Sequence, residues 1–149
     1  MKTTMRLVAI MLLAVMVLSL VACSSFEGIK KNFEKNGYEY LDDLSADSTA
    51  KTITGELQRG GISCTAHLFK VKISEIPLLG TDINEYALVL EFDSDEDMEA
   101  AILNSATIKG FVTDIQNSEL VNKNCMLIPL GLTEASNMIK IFNGEVLDK

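Results

Sequence analysis

Basic residues are scarce in this 149-residue chain: 13 Lys and Arg face 21 Asp and Glu, a formal charge of −8. Two of those cations, Lys2 and Arg6, lie at the extreme N-terminus, so the chain from residue 23 onward is more acidic still. A surface of that sign repels a phosphate backbone and excludes nucleic acid as a partner. Histidine occurs once, at position 67, and none of the three cysteines stands in a CxxC pair. Zinc centres need three or four soft ligands at set spacings. Cys64 and His67, three apart on one strand, point to opposite faces unless a bulge intervenes, so neither a metal nor another cofactor is expected. Gly60-Gly61 lacks the pattern of a phosphate-cradling loop. No nucleophile elbow or paired-carboxylate arrangement accompanies His67, and no catalytic residues are assigned.

The N-terminal segment is informative. Met1 to Arg6 carries positive charge, Leu7 to Leu20 is nearly continuous apolar sequence, and small residues precede Cys23. That is the layout of an export signal. The run reaches only about 21 Å as a helix, too short to span a bilayer. With residues 1–22 set aside, the remainder is about 43% apolar, ordinary for a globular domain, and a single domain over 23–149 is expected. The tetrad Leu20-Val21-Ala22-Cys23 resembles the lipobox of bacterial lipoproteins. The resemblance implies that the Cys23 sulfur receives a diacylglycerol group, that residues 1–22 are removed, and that the chain is lipid-anchored to the cell membrane outside the cytoplasm. Stable attachment takes two acyl chains, because each buried methylene contributes only about 0.8 kcal/mol.

The periodicity behind the anchor describes an α+β domain. Phe26, Ile29 and Phe33 form a helix face, with Ser24 and Glu27 spaced as a capping box and Asn36-Gly37 as a stop. Lys30, Lys31 and Lys35 on this helix are the cations available to anionic headgroups. A short strand over Tyr38 to Leu41 follows. Ala46, Ala50, Ile53 and Leu57 define a second helix, closed by Gly60-Gly61. Ile62 to Ile73 is a strand whose apolar parity switches near Leu68, suggesting a bulge there or two covered faces. Tyr86 to Phe92 alternates cleanly. Asp93, with Glu96 three later, caps the next helix through Met98, Ala101 and Ile102. A break at Asn104-Ser105 precedes a helical run Ile108, Phe111, Val112 and Ile115. Cys125 to Pro129 is a last strand, and Thr133 caps a helix through Ala135, Met138, Ile139 and Phe142. Without the outer helices the order is βαββαβ, so the expected architecture is a ferredoxin-like antiparallel sheet with additional N- and C-terminal helices.

In such a sheet Cys64 and Cys125 lie on opposite edges, about 14 Å apart at about 4.8 Å per strand, and remain free thiols. Asp93-x-Asp95-x-Asp97 opens like a calcium loop, but Met98 replaces the glycine and Asn104 the bidentate glutamate, leaving helix capping as its role. Ile76, Pro77, Leu78 and Leu79 fall in a connection of about 12 residues between strands that a hairpin turn could join. These four are the candidate partner-binding residues. The expected function is thus a noncatalytic interaction domain docking an envelope protein or component. The alternative is a small-ligand binder or hydrolase using His67 with Glu91 or Asp93.

Overall fold

Strand and helix formation follow the periodicities closely, and the sheet that results is sealed on both sides. The computed structural model describes residues 25–76, 80–131, 133–145 and 147. In chain order the elements are α1 (Ser25–Lys35), β1 (Glu39–Leu41), a 3-10 turn (Leu44–Ala46), α2 (Ser48–Arg59), β2 (Cys64–Ile76) and β3 (Thr81–Phe92). Then come α3 (Asp95–Asn104), α4 (Ala106–Lys109), β4 (Val121–Asn122), β5 (Cys125–Pro129) and α5 (Ala135–Phe142). The five strands are all antiparallel, in the order β1-β2-β3-β5-β4. A ferredoxin-like sheet interleaves its strands, and the order here does not. β1 pairs directly and antiparallel with β2, Glu39 opposite Lys70 and Leu41 opposite Leu68, so no parallel split βαβ unit forms.

The parity switch in β2 reflects two covered faces. Pairing runs without interruption from Cys64↔Phe92 through Leu68↔Leu88 to Lys72↔Asn84, and the register shifts only between Lys72 and Ser74. The bulge is therefore at Ile73, not near Leu68. On one face Leu68, Leu88, Leu90, Phe92, Met126 and Ile128 meet α2, α3 and α4 through Ile53, Leu57, Met98, Ile102 and Ile108. On the other, Phe69, Val89 and Leu127 meet Phe26, Ile29 and Phe33 of α1 and Met138, Ile141 and Phe142 of α5. A strand buried on both faces cannot alternate apolar with polar. Phe33 stacks on Phe69 at 4.7 Å between ring centroids, which makes α1 part of the second core rather than a leader to it.

Helix boundaries move where a better cap is available. Asp47 accepts from the Thr49 and Ala50 amides at 2.8 and 2.9 Å, so α2 starts after Ala46, which belongs to the preceding turn. Ser94, not Asp93, caps α3 by accepting from the Asp97 amide at 3.1 Å. The expected break at Asn104-Ser105 is present because the Ser105 hydroxyl accepts from Ile108 N–H, starting α4, and the same hydroxyl donates to Glu56 of α2. The helix does not continue to Ile115: α4 ends at Lys109, leaving Phe111 40% exposed. Ser24 of the proposed capping box lies outside the described residues.

Thr133 does not cap α5. Its N-cap residue is Glu134, which makes no side-chain cap; instead both carboxylate oxygens of Glu85 on β3 accept the two backbone N–H groups just before the helix, from Thr133 at 2.9 Å and Glu134 at 2.8 Å. Glu85 is buried beneath Gly131, which has room for no side chain: a Cβ there would overlap the carboxylate and sit 2.6 Å from the Glu85 Cβ.

Candidate functional site

His67 lies on the α1 side of β2, opposite Val89. Its Nε2 is 3.3 Å from Glu91 Oε2 and its Nδ1 is 3.1 Å from the Tyr40 hydroxyl. An ionised carboxylate only accepts, so the Nε2 proton is donated to Glu91 and Nδ1 accepts from Tyr40. Phe26 stacks on the ring at 3.4 Å, leaving the histidine 8% exposed. Lys30 sits 4.3 Å from the centre of the Tyr40 ring, a cation–π contact at the rim. Both ring nitrogens are thus engaged and one face is covered, the arrangement of a histidine satisfied within a core. Asp93 does not join it. That residue follows β3, where its amide donates to the Ser63 carbonyl at 3.5 Å and its charge acts on Cys64 rather than on His67.

Burial depresses the His67 pKa below its ordinary value, more than the hydrogen bond and charge of Glu91 raise it; Lys30 also lowers it and Glu27 raises it. A depressed folded-state pKa means that the unfolded chain takes up the proton first. Stability is then fully present above the unfolded value near 6.5 and is lost as pH falls from there to the lower folded pKa. As His67 is the sole histidine, the melting temperature should drop between pH 7.5 and pH 5.5. In a His67→Gln variant that component should vanish; an equal drop in the variant would assign it to other groups.

Cys64 and Cys125 do not bridge each other and lie on opposite faces. Cys64 stands opposite Phe92 and packs towards α2, whereas Cys125 neighbours Glu91 and is buried towards α1 and α5. β2 and β5 both flank β3, about 10 Å apart, so it is the facing that separates the thiols and not a place on opposite edges. Burial, with the charges of Asp93 and Asp97, pushes the Cys64 thiol up to about 11, which suppresses the reactive thiolate. Among the described residues no group of three or more His, Cys, Asp and Glu side chains is placed to hold a metal ion. Cys64 lines a hollow of 250 Å³ with Leu44, Gln58 and Ile62, and a hollow of 480 Å³ by α5 is lined by Glu119, Ile139, Lys140 and Glu145.

The connection between β2 and β3 is the other place to which the sequence points. It is shorter than expected, because Ile76 pairs with Thr81 and only residues 77–80 join the strands. Pro77, Leu78 and Leu79 lie outside the described residues, as does Cys23. Beyond the last rung with β1, at Lys70, and the last with β5, at Ala87, β2 and β3 pair only with each other. Residues 71–76 therefore form one side of an arm of about 20 Å at about 3.3 Å per residue. Lys72 and Asp82 bridge it at 2.6 Å, and Ile83 is 38% exposed on it.

Contacts along α1 show which end of the sheet carries the arm. Its first turn covers His67 through Phe26, and its last turns meet Phe69 and Tyr38 through Phe33. Burial, then the charges of Glu134 and Glu85, raise the Tyr38 phenol pKa, and Glu85 is opposite Val71 at the base of the arm. α1 thus starts at the far end from the arm, with about 30 Å of β2 between His67 and Ile76. No helix among the described residues is long and apolar enough to cross a membrane. Comparison with known protein families, with curated proteins and with solved structures gives no match.

Proposed function

We propose that this chain is an extracytoplasmic lipoprotein, acylated at Cys23, whose noncatalytic domain docks an envelope protein or other envelope component through the β2–β3 arm. The observation that carries the reading is polarity. α1 begins two residues after Cys23 and buries Phe26 and Phe33 in the domain core, so an acyl group on Cys23 holds the fold against the bilayer with almost no tether. The arm then projects from the opposite end, out of reach of the lipid and towards partners in the compartment. A two-stranded ribbon gains little stability by itself, and the apolar sequence Ile76, Pro77, Leu78 and Leu79 that links its strands along the chain is suited to burial against another molecule. Lys31 and Lys35, both exposed, are the cations on the anchored helix that anionic headgroups can attract; the acidic remainder of the domain is repelled.

The test is crosslinking in intact cells, comparing the parent chain with a Leu78→Ser, Leu79→Ser double variant. Recovery of crosslinked partner should fall at least about tenfold, the effect of losing a small apolar anchor from an interface, with no change in melting temperature. Full recovery would remove the arm from the docking role.

A further inference from the structure

We infer that the groove between α3 and residues 113–116 is a separate docking surface, for a basic peptide segment that carries an apolar side chain between its cations. Asp95, Glu99 and Leu103 recur four apart and so form one stripe along α3. Two adjoining hollows of 280 and 320 Å³ run beside this stripe and share Glu99 and Ile115. Ile102 and Ile115 give the first hollow its apolar lining, and Leu103, 78% exposed, stands at its edge. Leucine at that exposure on a helix otherwise packed through Met98, Ala101 and Ile102 contributes nothing to the core.

The rim chooses the occupant. Asp95, Glu99 and Asp114 are all exposed, and Asp114 is fixed in place by accepting from the Gln116 amide at 2.9 Å and the Asn117 side chain at 2.7 Å. Lys123, at the end of the second hollow, is the only cation lining either. A carboxylate rim around an apolar floor pairs with Lys or Arg flanking a leucine-type side chain. It disfavours a second copy of this chain, whose formal charge is −8, and it disfavours anionic lipid for the same reason. The surface lies on the opposite face of the sheet from α1 and depends on neither Cys23 nor the arm.

The probe is a synthetic peptide with a single leucine flanked by lysines, fluorescently labelled and titrated against the full-length protein in zwitterionic lipid discs, with empty discs as the blank. Saturable binding is expected that weakens with added salt and falls at least about tenfold in both Leu103→Ser and Glu99→Lys. Both positions are exposed, so circular dichroism and melting temperature should match the parent protein. The arm variant Leu78→Ser, Leu79→Ser should bind the peptide normally, which separates this surface from the proposed docking arm. Equal affinity of the two groove variants and the parent would overturn the proposal. So would concentration-dependent dimerisation abolished by Leu103→Ser, since the occupant would then be a second copy.

Discussion

Replacing Cys23 by Ala should abolish incorporation of labelled fatty acid into this protein and, because acylation precedes cleavage, leave residues 1–22 attached, and a chain made without residues 1–22 should partition to the aqueous and not the detergent phase. The effect is all or none because the anchor is a single covalent event at one sulfur, for which alanine has no substitute. Nothing else on the described surface replaces it: no described helix is long and apolar enough to cross a bilayer, and the net charge opposes adsorption to anionic lipid. Two acyl chains contribute about 0.8 kcal/mol for each buried methylene, far above what Lys31 and Lys35 could supply at about 1 kcal/mol per cation near the surface. The folded domain should be unaffected, since among the described residues the first buried side chain is Phe26. Labelled fatty acid persisting in the alanine variant would refute acylation at Cys23, and with it the polarity argument that aims the arm outward.

The largest effect on stability is expected at Gly131 and Glu85. Gly131→Ala should destabilise the fold by about 2–4 kcal/mol, measured by urea denaturation, because its methyl group would occupy the space of the buried Glu85 carboxylate. Expelling that carboxylate strands the Thr133 and Glu134 N–H groups at the start of α5, where charge-assisted hydrogen bonds are worth about 1.5–3 kcal/mol each. The negative charge also faces the positive end of the α5 dipole. Glu85→Ala should cost a similar amount, and Glu85→Gln less, since the amide oxygen still accepts one bond. The distinguishing result is the double variant. Only glycine at 85 removes the Cβ that would lie 2.6 Å from a methyl group at 131 as well as the carboxylate, so adding Gly131→Ala to Glu85→Gly should cost under about 1 kcal/mol more. Additive losses would show that residue 131 is sensitive through its backbone rather than through Glu85.

The elements that read correctly from the sequence are those whose signal is contained in a few turns of chain. Phe26, Ile29 and Phe33 lie on one helical stripe whatever the rest of the molecule does, and the same holds for Ala50, Ile53 and Leu57. Gly37 and Gly144 stop helices because positive φ, +86° and +88°, costs glycine little. Caps are nearly as local but admit a choice between neighbours. Ser94 wins over Asp93, and Asp47 fixes the start of α2, through hydrogen bonds spanning two or three residues. β4 was missed because two residues, Val121 and Asn122, carry no period at all.

The candidate site divides the same way. The His67 and Glu91 pairing was legible as residue types on neighbouring strands, but the ring partners Tyr40 and Phe26 and the exclusion of Asp93 depend on β1 and α1 reaching the same rung. Glu85 reads in sequence as the polar side of an alternating strand, and nothing local marks it as the acceptor for two amides just before α5, 48 and 49 residues away.

By itself the sequence determined most of the longer segments that become helix and strand, because those depend on side-chain spacing, and it carries the lipobox-like pattern on which the proposed acylation rests. Only the tertiary structure decided strand order, the bulge at Ile73, the sealing of both sheet faces and the placing of the arm and the start of α1 at opposite ends. Those outcomes are set by register between strands distant in the chain, where many pairings satisfy the same local periodicity and burial of the two cores selects one.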